Sequence, residues 1–277
     1  MPFFIPLCVF ILGAIWGSFL NVCIYRIPQG YSILWPPSSC KCGERIPFYF
    51  NIPTIAWFLL KGKAICCEEK FSFRYPLVEA LTGTLFVFSW LNHQPSVALV
   101  GMLFIAILIT ATFIDLENMT IPDILSIGGM LLGVIVSIFI PELHGFSQIG
   151  LEAHWYSWIE SILGIFVGTS IIYWIAIIGE IILKKPAMGE GDVKFLAAIG
   201  AFTGWQGALF SLFGGAFIGT IIILPYLLIK QLNKSKEPKL QEIPFGPFLG
   251  IGAIVYFLWL NDFMDVYFKI IVDIFTR

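Results

Sequence analysis

The sequence predicts an all-α, polytopic membrane protein with about eight transmembrane helices and one cytoplasmic Cys-containing loop domain. Three observations carry this expectation. First, 58% of the 277 residues are hydrophobic and only 12% are charged, with a mean hydropathy of +0.89, whereas a soluble domain carries roughly 25% charged residues. Second, the apolar residues fall in runs long enough to cross a bilayer, which takes about 20 residues. Third, Lys and Arg are confined to a few loops. Arg26, Lys41, Arg45, Lys61, Lys63, Lys70 and Arg74 lie between the first two runs, and none occurs from Pro76 to Leu183. Lys184, Lys185 and Lys194 flank a Gly-x-Gly stretch, and Lys230, Lys234, Lys236 and Lys239 precede the last run.

Taken in order, the expected spans are 3–25, 76–91, 96–114, 122–140, 159–183, 193–204, 206–229 and 245–260. The first carries no basic flank before it and reads as a span, not a cleavable signal. The sixth is short, ends at Thr203-Gly204 and reads equally as a half-helix inside the bundle. The basic loops belong on the cytoplasmic side. The loop Pro141–Trp158, with His144 and His154 but no Lys or Arg, falls outside. The expected division is a first transmembrane helix over 1–25, a loop domain over 26–75, a transmembrane core over 76–260 and an amphipathic tail over 261–277 that could lie on the outer interface.

Two carboxylates interrupt the apolar runs at costly depths. Asp115 closes Thr112-Phe113-Ile114-Asp115, and Asp192 follows Gly189-Glu190-Gly191. Charges at such depths mark functional sites by default. The Lys/Arg bias places both at the cytoplasmic face, by a route that uses neither motif. Two carboxyl groups a few ångströms apart share one proton, which supplies a general acid and a general base for activating water against a peptide carbonyl. Gly189 and Gly191 would let backbone or substrate come close. A single Asp at a span boundary also reads as a helix cap. Asp123 after Pro122 has that character at the start of the fourth span. Glu117 and Glu190 read as solvated neighbours. A transporter using membrane carboxylates is the rival reading from another class, but it requires an inverted repeat with paired broken helices, and none is visible.

Gly189-Glu190-Gly191-Asp192-Val193-Lys194, together with Asp115 and Ile121-Pro122-Asp123, resembles the paired signature of the type IV prepilin leader peptidases, the GxGD-type membrane aspartic proteases. The resemblance extends to Gly17–Pro28 in the first span, to Asn51-Ile52-Pro53 and to Arg74-Tyr75-Pro76-Leu77-Val78-Glu79. It implies an enzyme of the bacterial cytoplasmic (inner) membrane, its active site facing the cytoplasm. Such an enzyme cuts the basic leader from prepilins or pseudopilins and then methylates the new amino terminus from S-adenosylmethionine. By the same resemblance Asp115 and Asp192 are catalytic, with Asp123, Gly189, Gly191 and Lys194 supporting the peptidase site. Gly62 and Lys63 match a pair implicated in methylation, and Glu79 joins them as a candidate for the methyl donor. The implied partners are a prepilin or pseudopilin helix and membrane lipid, not nucleic acid. Acidic Glu117, Asp123 and Glu190 would attract the leader's basic residues.

The loop departs from the family pattern. Relatives commonly carry two Cys-x-x-Cys pairs, a spacing suited to tetrahedral zinc. Here Cys40 and Cys42 form a Cys-x-Cys, and Cys66 and Cys67 are adjacent. A Cys₄ zinc site from Cys40, Cys42, Cys66 and Cys67 and a set of reduced thiols are both consistent with the sequence. The irregular pattern also leaves open a peptidase without methyltransferase activity.

Overall fold

The computed structural model describes residues 3–35, 42–43, 53–64, 66–67, 70–146, 150–185, 188–232, 243–261 and 263. Cys40, Lys41, Arg45, Asn51-Ile52, the loop lysines 234, 236 and 239 and nearly all of the tail lie outside the described residues. The regular structure is helical among the described residues, save one isolated antiparallel bridge between Lys63 and Lys70. Helices suit such a sequence because each satisfies its own backbone polar groups where water is absent.

The chain divides into two compact units, Met1–Thr110 and Ala111–Arg277. The first contains α1 (Phe4–Arg26), α2 (Ile55–Leu59), α3 (Arg74–Asn92) and most of α4 (Pro95–Asn118). The second contains the last turns of α4, then α5 (Asp123–Phe139), a 3-10 turn (Pro141–His144), α6 (Leu151–Leu183), α7 (Glu190–Leu232) and α8 (Gly246–Val255), which continues as a π-helical turn to Leu260. Among the described residues, four helices are long and apolar enough to cross a membrane: Phe4–Arg26, Pro95–Asn118, Leu151–Leu183 and Glu190–Pro225. The helices α3, α5 and α8 occupy other expected spans but fall short of that standard of length and hydropathy.

Two elements differ from expectation. Helix α6 begins at Leu151, not near 159, and so takes in much of the supposed outer loop. Nothing between Leu151 and Trp158 breaks a helix, and Glu152 in the first turn favours one through the helix dipole. The sixth and seventh expected spans run together in α7, but Gly204 (φ 68, ψ −176) interrupts it where the sequence ended its half-helix. That left-handed φ suits glycine.

In the first unit, α1 packs on α3 through small residues. A Cβ on Gly13 would stand 2.8 Å from the Gly83 Cα, and one on Gly17 2.6 Å from the Glu79 Cα. Close backbone approach of this kind is how apolar helices associate where lipid removes the hydrophobic drive. One turn on, the buried Asn21 side chain donates to the Tyr75 carbonyl at 3.1 Å and to the Gly17 carbonyl at 3.3 Å. In the second unit the backbones of α6 and α7 meet at Gly164 and Gly200, where a Cβ on either would overlap the carbonyl oxygen of the other.

The helix break at Gly204 disturbs the regular bonding one turn earlier. There the Ala201 carbonyl accepts Ser161 Oγ at 2.8 Å. The His144 ring bonds to the same carbonyl, and burial lowers its pKa to about 4. Its Nε2 is sealed without a partner. The unfolded chain takes up this proton near the ordinary value of 6.5, whereas the native state resists it until about 4. Stability through this group is therefore complete above pH 6.5 and is lost as pH falls toward 4, by up to about 3 kcal/mol. His144→Gln should remove that component. The unfolding free energy of the parent, minus that of the variant, should drop over this window in detergent titrations, and a flat difference would contradict the assignment.

Candidate functional site

The site is built within the second unit, from four chain segments. Asp115 lies in the last turns of α4 and is 5% exposed. The sequence ended its span there, but the helix continues to Asn118, whose Nδ2 donates to the Ile114 carbonyl at 3.2 Å. Met119 then turns left-handed (φ 56), and Ile121 leads into Pro122, which starts α5. A residue before proline is held away from helical geometry, so the helix cannot run on through this corner.

Asp192 sits in the first turn of α7, where its amide bonds back to the Gly189 carbonyl at 3.2 Å. Asp192 is half-buried and lies within reach of the Asp115 charge. The fourth segment is the start of α8. The Gly246 amide, deep in the site, donates to Asp115 Oδ2 at 3.1 Å. Ile121, 7% exposed, lies between the two glycine-bearing segments: a Cβ on Gly191 would meet its Cβ at 3.4 Å, and one on Gly246 would meet its Cδ1 at 3.0 Å.

The supporting residues are placed as follows. Lys194 Nζ pairs with Asp123 Oδ1 at 2.8 Å and links the first turns of α7 and α5. The pair is well exposed and screened by solvent, so it adds little to stability. Asp123 is therefore not the cap its position suggested: α5 starts at Pro122 with no side-chain cap bond, and the carboxylate reaches across to Lys194. Glu190 acts on the same ammonium, and Glu117 is exposed. The acidic rim thus has a cation within it. Gly189 and Gly191 have no left-handed φ, and the nearest atoms to an added Cβ lie at 3.7 and 3.4 Å, so the chain itself does not demand glycine at either.

In the first unit, Cys42, Cys66 and Cys67 bring their sulfurs within 4.8 Å of one another, with Cys42 and Cys66 at 3.2 Å. Thiolates held tetrahedrally at about 2.3 Å from zinc stand about 3.8 Å apart, a spacing that Cys66 and Cys67 have at 3.9 Å, with Cys42 and Cys66 closer. Cys40, the fourth expected ligand, lies outside the described residues. Glu79 is nearly buried and accepts the Thr54 amide at 2.6 Å. Gly62 (φ 68) closes the turn after α2, with Trp57 so near that a Cβ would stand 2.9 Å from its ring. Lys63 is exposed. Helix α2 thus connects Glu79 at its start to Gly62 after its end.

Sequence reasoning missed Gly246. The available signal was Pro244-Phe245-Gly246-Pro247, a glycine between two prolines at the head of an apolar span.

The model of the type IV leader peptidase family matches residues 102–224, and that of the bacterial peptidase A24 N-terminal domain matches residues 11–93. A protein of Dickeya chrysanthemi named prepilin leader peptidase/N-methyltransferase is 31% identical, covering 89% of this chain and 90% of its own. The chain belongs to the type IV leader peptidase family. Similarly named proteins of Stutzerimonas stutzeri (32% identical, 97% of this chain and 95% of theirs) and Neisseria gonorrhoeae (30%, 92% and 91%) match over nearly the same length. No solved structure gives a significant match. The family match spans both the Asp115 and Asp192 segments, and its N-terminal counterpart spans the cysteine-bearing loop.

Proposed function

We propose that this chain cleaves the leader of type IV prepilins or pseudopilins at the cytoplasmic face of the bacterial inner membrane and N-methylates the amino terminus so exposed. The reading is supported by full-length similarity to proteins that carry both activities in their names. The observation that supports its peptidase half is that two different apolar helices, α4 and α7, bring Asp115 and Gly191-Asp192 to the same place around Ile121 and Gly246.

One carboxylate acts as base and takes a proton from water, whose oxygen attacks the scissile carbonyl carbon. The other, protonated, donates to the carbonyl oxygen. The tetrahedral intermediate then collapses, and the departing amine takes up a proton. This route consumes one water and requires no covalent enzyme intermediate. Lys194 and Asp123 tie α7 to α5 beside the pair. Glu117 and Glu190 offer exposed negative charge to a basic leader.

The methyltransferase half is assigned to the first unit, with Gly62, Lys63 and Glu79 as the residues that hold S-adenosylmethionine. When bound, that donor supplies an electrophilic methyl group for the new amine. The fit rests on Glu79, a nearly buried carboxylate fixed by Thr54 against the glycine face of α1. Zinc on Cys42, Cys66, Cys67 and Cys40 would tie the loop together.

Incubation of the purified enzyme with a panel of prepilins tests the reading. The mature product should have lost its leader and gained one methyl group by mass. An unmethylated product leaves a peptidase alone, and an uncut panel removes the peptidase reading. Zinc should be present near one per chain, and Cys42→Ser should lose it while still cutting the leader. Background zinc in the parent would remove the metal assignment.

A further inference from the structure

The start of α8 carries a glycine that stands directly against Asp115. Gly246 has no left-handed φ and lies in the first turn of a helix. As the residue before Pro247, a Cβ-bearing residue here is already disfavoured in helical geometry. Space in the site excludes it further. A Cβ at this position would stand 2.6 Å from Asp115 Oδ2, 3.2 Å from its Cγ and 3.0 Å from Ile121 Cδ1. The same approach lets the Gly246 amide donate to Asp115 Oδ2 at 3.1 Å. The next residue, Pro247, has no amide of its own, so the helix start offers its donor at Gly246. With Oδ2 held, the second oxygen of Asp115 is left for the proton shared with Asp192.

Ile121 completes the arrangement. It is buried at the corner between α4 and α5, with Gly191 against one side and Gly246 against another. Asp192 follows Gly191 directly, so the thickness of this side chain bears on how closely Asp192 can approach Asp115.

We propose that Gly246 and Ile121 are positioning residues of the peptidase reaction. Gly246 seats the first amide of α8 on Asp115, and Ile121 is the spacer that sets the Asp115–Asp192 separation. This rests on the aspartic-peptidase reading above. Neither residue touches substrate. Each acts through the carboxylates, where displacement by about 1 Å costs on the order of 100-fold in rate.

The test uses the full-length enzyme in detergent, with steady-state cleavage of a prepilin and methyl transfer to an already cleaved pilin measured side by side. Gly246→Ala should lower kcat for cleavage about 100-fold with KM within about threefold, while methyl transfer persists. Adding Ile121→Val, which removes the Cδ1 that the new methyl would strike, should make the double variant cleave faster than Gly246→Ala alone. Ile251→Ala, on an exposed part of α8, should cleave as the parent does. Parental kcat in Gly246→Ala overturns the proposal. If Gly246→Ala loses both activities together, Ile121→Val alone decides: reduced kcat with methyl transfer intact supports the spacer role, and parental kcat overturns it. Asp115→Asn and Asp192→Asn run alongside. If they cleave normally the peptidase reading itself fails; if they are dead and Gly246→Ala is parental, only the positioning role falls.

Discussion

Asp115→Asn and Asp192→Asn should each abolish leader cleavage, with losses of about 1,000-fold or more, while methyl transfer to a pre-cleaved pilin continues. Asparagine keeps the shape of the side chain and its capacity to accept the Gly246 amide at position 115. It can neither take a proton from water nor surrender one, so the variant removes the chemistry with little change to the packing. General acid–base transfer by one positioned group is worth roughly 10²–10⁴-fold. The two groups act as a unit, so the double variant should be hardly worse than either single one. The parent's activity should rise and fall with pH as a bell whose limbs belong to the pair, not to either residue alone. Steady-state cleavage of one prepilin by the three variants is the measurement. Substantial turnover by either single variant would show that the two carboxylates are not a dyad.

What the sequence revealed about this site, and what it hid, follows from the range of each interaction. Asp115 and Asp192 were legible because a charge in an apolar run is anomalous by itself, and because Lys and Arg fix a face without any tertiary knowledge. The break at Gly204 was legible as a short span ending in glycine. The early start of α6 was not, because a stretch with two histidines and no Lys or Arg read as an outer loop although nothing in it breaks a helix. The role of Gly246 was invisible because its partner is 131 residues away, and only the fold brings the two together. Asp123 shows the same limit in reverse. Its local position announced a cap, and a lysine 71 residues on captured the carboxylate. Glu79 likewise has a partner that no local pattern announces, the amide of Thr54, 25 residues away. Local signals identified which groups are unusual, whereas their partners are set by tertiary packing.

That packing is most exposed to test at Gly164. Gly164→Ala should destabilise the second unit by several kcal/mol, beyond the roughly 1–3 kcal/mol typical of overpacking, because the added methyl would meet backbone and not a movable side chain. The backbones at Gly164 and Gly200 lie so close that a Cβ on either overlaps the other's carbonyl oxygen, and a Cβ on Gly164 would also stand 2.8 Å from the Gly204 carbonyl carbon. Helices α6 and α7 must move apart to admit it. In lipid no hydrophobic gain compensates for the lost contact, since the acyl chains are as apolar as the surface uncovered. Gly128→Ala in α5 provides the contrast. That glycine is exposed with nothing within 4 Å of a new Cβ, so the substitution should be neutral or stabilising by about 0.5–1 kcal/mol through helix propensity. Unfolding midpoints of the two variants should therefore shift in opposite directions, although each adds the same methyl to a helical glycine. Cleavage should fail with the fold in Gly164→Ala and persist in Gly128→Ala, because Asp192 stands at the head of the helix that Gly164 holds. Equal midpoints in the two variants would mean that α6 and α7 do not meet backbone to backbone, and that Asp192 is held in place by something other than this contact.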